Sequence, residues 1–180
     1  MARPSELIRY VAFLRAINVG GRNVTMAELR QLFTEMKFTD VESLIASGNI
    51  IFRTDEATSP PALEEHIETA LAGALGYDVA TFIRAPADLA AIADAAFAGE
   101  TGSHQVGFLK TPPTKDGTAA TLALQTDDDA IVIVGREVHW LRRDTAASQL
   151  VNGRFERALG GQATFRSVST LRRIADKCNP

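Results

Sequence analysis

Within one short stretch the chain places two arginines, two asparagines and two glycines: Arg15, Asn18, Gly20, Gly21, Arg22 and Asn23. Glycine frees the backbone to turn and to present its N–H groups. The guanidinium groups and amides add donors and positive charge. Set just before a helix, this combination suits a small anion, above all a phosphate-bearing one. A second polar turn, Ser47-Gly48-Asn49, carries similar residue types. Thr164, Arg166 and Thr170 form a third, smaller group, read as a secondary polar site.

A reaction is harder to find. Ser47 as a nucleophile needs a base within reach, yet His66 falls on a helix and His139 alternates along a strand. His104 also lies in no loop expected nearby. No His/Asp/Glu spacing resembles a metal site. Neither G-x-x-x-x-G-K-[ST] nor G-x-G-x-x-G occurs, so no nucleotide fingerprint and no cofactor is implied. Asp127-Asp128-Asp129 reads as a solvated turn, and Cys178 as an incidental thiol. Catalytic residues are therefore not assigned, and enzymatic activity stays open.

The elements that must position these groups follow from periodicity. Tyr10–Ala16 reads as a strand. Thr25-Met-Ala-Glu28 is a capping box opening a helix with Met26, Leu29, Leu32, Phe33 and Met36 on one face. Val41–Ala46 and Ile50–Thr54 flank the Ser47-Gly48-Asn49 turn as a hairpin. Ser59-Pro-Pro61 opens a helix that Gly76 ends. Asp78–Arg84 is a strand, and Pro86 begins a further helix. The second half repeats the order: a strand over Gln105–Lys110, a weak helical pattern over Thr114–Leu124, and a hairpin of Ile131–Val134 with Val138–Leu141. A helix over Ala146–Leu159, a strand over Ala163–Arg166 and a helix over Ser169–Cys178 complete it.

The halves agree in sequence as well as order. Val11-Ala-Phe13-Leu14-Arg15 matches Val106-Gly-Phe108-Leu109-Lys110, Gly48 and Phe52 find counterparts in Gly135 and Trp140, and Ala80-Thr-Phe-Ile-Arg84 aligns with Ala163-Thr-Phe-Arg166 across a gap. The expected fold is α+β: a tandem duplication of ferredoxin-like βαββαβ units, each followed by an extra helix, with antiparallel or mixed sheets. Residues 1–100 form the first repeat, carrying the glycine loop; residues 101–180 form the second, more basic toward its C-terminus. In such a unit the loop after the first strand and the turn of the hairpin share one end of the sheet. That brings Asn18–Asn23 beside Ser47–Asn49. The equivalent loop of the second half, Thr111-Pro-Pro-Thr-Lys115, is poorer in donors.

Totals bound the rest. With 180 residues, 46% hydrophobic and 23% charged, the chain has material for a proper core. No run approaches the ~18 apolar residues of a membrane span, and the N-terminus does not read as a signal peptide. One lone cysteine fits a reducing cytoplasm. The net charge of −3 conceals nine basic against four acidic residues from Arg136 onward.

The run Phe13-Leu14-Arg15-Ala-Ile17-Asn18-Val19-Gly20-Gly21-Arg22-Asn23, with Met26-Ala-Glu28-Leu29 and Ser47-Gly48-Asn49-Ile50-Ile51-Phe52, resembles the bacterial family catalogued as domain of unknown function 1697. The resemblance runs from about Tyr10 to the end. The family's C-terminal motif is similar to T-A-R-N-W-N-T; here Thr164-Phe-Arg166-Ser-Val-Ser-Thr170 keeps both threonines and the arginine. The resemblance implies a duplicated ferredoxin-like fold and brings no activity.

The leading expectation is a cytoplasmic module binding a small anionic ligand at the 18–23 loop and the 47–49 turn. Three alternatives stay open: nucleic-acid binding through the basic second half, an enzyme acting on a small phosphorylated substrate, and a structural or protein-interaction role. Against the nucleic-acid reading, no RNP1 pattern occurs, and the strand aromatics Phe13, Phe52, Phe108 and Trp140 are expected to pack the two halves together. No membrane partner is expected, and the oligomeric state is unassigned.

Overall fold

The computed structural model describes residues 7–45, 48–54 and 59–178. The chain divides into two compact units, Met1–Pro86 and Ala87–Pro180. The first holds β1 (Ile8–Leu14), α1 (Met26–Glu35), β2 (Thr39–Ser43), β3 (Asn49–Thr54), α2 (Pro60–Leu75) and β4 (Thr81–Arg84). Its strands form one antiparallel sheet in the order β2-β3-β1-β4. The second follows with α3 (Pro86–Asp94), β5 (Ser103–Phe108), α4 (Lys115–Leu122), β6 (Asp129–Val134), β7 (Glu137–Arg142), α5 (Asn152–Leu159), β8 (Thr164–Ser167) and α6 (Val168–Cys178). Its sheet, again antiparallel, has the order β6-β7-β5-β8. The division at Pro86 puts nearly all of α3, expected at the end of the first repeat, in the second unit.

In the first unit Ala12, Leu14, Ile50 and Phe52 of the sheet meet Leu29 and Phe33 of α1 and Leu63, Ile67 and Leu71 of α2. Phe52 sits among rings, its centroid 4.4 Å from Phe38 and 5.5 Å from Phe33. Burying each such side chain is worth roughly 1.5–3 kcal/mol. Trp140 occupies the corresponding place in the second unit, against Phe155 and Phe165. Phe52 and Trp140 therefore pack inside their own units, contrary to the expectation that they join the halves. Inward positions facing a helix layer are where a period-2 strand puts its largest rings.

Glutamates close the outer edge of β4. The Thr81 N–H donates to the Glu68 carboxylate at 2.8 Å and the Ile83 N–H to buried Glu64 at 2.9 Å. The second unit repeats the device, with the Ala163 N–H donating to Glu156 at 2.9 Å. These are donors that an open edge would offer to another strand.

Several expected boundaries shift, among them those of β1 (expected Tyr10–Ala16), β4 (Asp78–Arg84) and β5 (Gln105–Lys110), and three further changes have a visible cause. β2 ends at Ser43 because Leu44 and Asn49 close the turn early: the Leu44 N–H donates to the Asn49 carbonyl, and the Asn49 amide to the Leu44 carbonyl. α5 starts at Asn152 rather than Ala146. Asp144 Oδ1 accepts the N–H groups of Ala146 and Ala147, which folds that stretch into a side-chain-braced turn. Asp129 belongs to β6 and is 1% exposed, not part of a solvated turn. Its carboxylate accepts hydrogen bonds from Trp140 Nε1 at 2.7 Å, Ser148 Oγ at 2.7 Å and Thr126 Oγ1 at 3.0 Å. Three donors stabilise a charge that burial would otherwise penalise.

Candidate functional site

The loop from Arg15 to Thr25 leaves β1 and enters α1. Ala16, Asn18, Gly20 and Gly21 all have positive φ, between 56° and 81°. At the two glycines a Cβ would meet nothing within 4 Å, so glycine is there for conformation, and the space above it is open. Asn18 braces the loop: its Oδ1 accepts the Val24 N–H at 2.6 Å. The capping box forms as expected. The Glu28 carboxylate accepts the Thr25 N–H at 2.7 Å while Thr25 Oγ1 accepts the Glu28 N–H at 3.1 Å. Those hydrogen bonds hold the Glu28 carboxyl below its ordinary range. A negative side chain thus already covers the start of α1.

The hairpin turn does come to this loop. The Leu14 N–H donates to the Gly48 carbonyl at 2.8 Å, and a Cβ on Gly48 would stand 3.2 Å from Leu14 Cβ and 3.4 Å from Ile17 Cγ2. With φ at +73° and so close a neighbour, Gly48 is required twice over. Asn49 is fully buried, with its amide engaged by Leu44. Ser47 lies outside the described residues. Arg22 is exposed and its guanidinium lies 4.3 Å from the centre of the Tyr77 ring, a cation–π contact. Arg15 is half-buried, and Asn23 lines a pocket of about 240 Å³ between α1 and α2 with Glu28, Gln31 and Leu75. Among the described residues no hydrogen bond engages the exposed N–H groups of Asn18, Val19, Gly20, Gly21 and Asn23. Main-chain donors thus stand beside the exposed side chains of Arg22 and Asn23.

Of the secondary group, Thr164 and Arg166 meet: Arg166 Nη1 donates to Thr164 Oγ1 and to the Phe165 carbonyl, each at 2.9 Å. Arg166 is buried, and burial lowers its pKa to about 10. Thr170 belongs instead to a hydroxyl cluster, its Oγ1 being 2.9 Å from Ser167 Oγ. The register gives Arg166 a twin. Arg84 stands opposite Val11 as Arg166 stands opposite Val106, and both donate Nη1 to the preceding carbonyl.

The structure also brings two histidines together. His104 Nε2 and His139 Nδ1 are 3.2 Å apart, and His139 is fully buried. Burial first, then the neighbouring His104, lowers the His139 pKa to about 4. The signal was present in the repeat: pairing the strand of Val106 with that of Trp140 puts both imidazoles on one sheet face. Among the described residues no three His, Cys, Asp or Glu side chains gather as a metal site, and no helix is long and apolar enough to cross a membrane.

Comparison with curated proteins finds no match. Among solved structures the chain is similar to that of the conserved bacterial protein SP0830 from Streptococcus pneumoniae. The TM-score is 0.74 at 24% identity, covering 97% of this chain and 100% of that one. At that identity the likeness speaks for the fold alone. Residues 7–139, most of the chain, match the family model described as protein of unknown function (DUF1697), and the chain belongs to that family.

Proposed function

We propose that the loop between β1 and α1 holds a small anionic group, phosphate-bearing in its natural form, mainly through main-chain N–H groups. The supporting observation is the row of unengaged N–H groups at exposed residues from Asn18 to Gly21, on a backbone with positive φ at Asn18, Gly20 and Gly21, a geometry suited to an anion-holding concavity. Arg15 and Arg22 add positive charge beside it. The N-terminus of α1 is not the anchor, because Glu28 covers it.

The same reading takes the two units as duplicated ferredoxin-like repeats. Supporting it are the shared strand order, the twin buried arginines, and matched hydrogen bonds: Leu14 N–H to Gly48 and Leu109 N–H to Arg136 at 2.9 Å. By this register Arg136, not Gly135, holds the place of Gly48. Function then sits on the repeat with the richer loop.

The test is thermal stabilisation of the full chain by inorganic phosphate, nucleotides and phosphorylated metabolites, in wild type and in Arg22→Ala and Gly21→Val. The wild type is expected to respond and both variants to respond less. No response in the wild type, or an undiminished one in Gly21→Val, overturns the reading.

A further inference from the structure

Away from the glycine loop, the second unit contains a polar cavity of about 300 Å³ at the ends of α3, β5 and β8. Ser103, His104, Ser167, Ser169 and Arg172 line it together with Glu100, and Phe97 sets its ring edge-on to His104, centroids 5.4 Å apart. Behind His104 lies fully buried His139, whose Nδ1 meets His104 Nε2 and whose Nε2 has no hydrogen-bond partner. That contact needs one bare nitrogen, so His104 can carry the extra proton only while His139 stays neutral.

The charges around the pair are mostly positive. Arg172 comes from α6 and Arg166 from β8, whereas Arg142 of β7, which donates Nη2 to Ser103 Oγ at 3.2 Å, lies over Trp140 on the opposite face of the sheet. The acids are already held: Glu100 by Arg143 at 3.3 Å and Asp94 by Arg172 at 2.6 Å. Ser167 Oγ accepts the Thr170 N–H at 3.2 Å, so the start of α6 is capped from within and is not what the site rests on.

We propose that this cavity binds a phosphate group through Arg172 and the Ser169 hydroxyl, and that binding adds a proton to His104. A phosphate offers four oxygens to these converging donors, whereas a carboxylate offers two. Burial first, and then Arg172, lower the His104 pKa below its ordinary value. A dianion beside it reverses that balance. One proton passes from solvent to His104, whose Nε2–H then donates to His139 Nδ1.

The imidazole C2–H signals of His66, His104 and His139 report this directly by NMR. Titrated with an excess of inorganic phosphate, against chloride at matched ionic strength, the His104 midpoint is expected to rise by about 1 pH unit. Exposed His66 serves as the unmoved reference. The rise is expected to shrink in Arg172→Gln and Ser169→Ala, both at exposed positions, and to persist in the loop variant Gly21→Val. A wild-type His104 midpoint that phosphate leaves in place overturns the proposal, as does a rise that survives Arg172→Gln but vanishes in Gly21→Val.

Discussion

Acidification is expected to weaken the second unit through His139. Its imidazole titrates at about 4 in the folded chain, against an ordinary value of 6.5. Between those limits the unfolded chain binds the proton that the folded chain refuses, so stability rises with pH across the window and is complete above it. The slope is about 1.4 kcal/mol per pH unit, and the whole window amounts to about 3 kcal/mol. His139→Leu removes the titrating group from a fully buried site while keeping an apolar side chain there. The assay is urea unfolding at a series of pH values, followed by fluorescence of the chain's single tryptophan, Trp140, which reports on the second unit's core. Carboxylates titrate in both proteins and cancel in the difference. The wild-type advantage at neutral pH, whatever its size, is expected to change by about 3 kcal/mol in favour of the variant as pH falls from 7 to 4. Parallel pH profiles for the two proteins would refute the reasoning.

Other perturbations are read by the same unfolding assay. Gly107→Ala places a methyl 2.6 Å from the Phe165 ring, and overpacking of that kind is expected to cost about 1–3 kcal/mol; an unchanged midpoint would show that the ring moves freely. Asp129→Ala leaves the buried indole N–H of Trp140 without its acceptor, with an expected loss of about 2–3 kcal/mol and a shifted tryptophan emission. Glu156→Ala strips the acceptor from the Ala163 N–H, for about 1–2 kcal/mol and faster hydrogen exchange at Ala163 than in the wild type. Exchange at that amide as slow as before would place its protection elsewhere.

Most of the architecture was legible because both units obey simple periodicities. The continuous apolar runs of β1 and β3 and the capping box before α1 are local signals that the tertiary structure leaves intact. The misread places share a cause: a side chain that accepts hydrogen bonds which periodicity does not register. Asp129 looks like one of three solvated acids until Trp140 and Ser148 supply donors from distant positions. Residues 146–151 have helical composition, yet Asp144 captures their first N–H groups. At the candidate site, the meeting of loop and turn followed from topology. The roles within it did not, since Asn18 and Asn49 read as ligand donors but serve as braces. The partner of Arg22, Tyr77, belongs to a turn that sequence spacing does not connect to the loop.

The carboxylates along β4 and β8 bear on how such a chain is made. Two neighbouring units with one strand order invite mispairing, because a strand of the later unit fits the free edge of the earlier one nearly as well as its own. The first unit emerges from synthesis before the second. Once α2 docks, Glu64 and Glu68 occupy the N–H groups of β4, and a latecomer meets a closed and negatively charged border. Glu156 does the same for β8. Order of synthesis and placement of acid together keep each strand with its own sheet, so variants lacking these glutamates should reveal themselves first as tangled or aggregated chains during refolding.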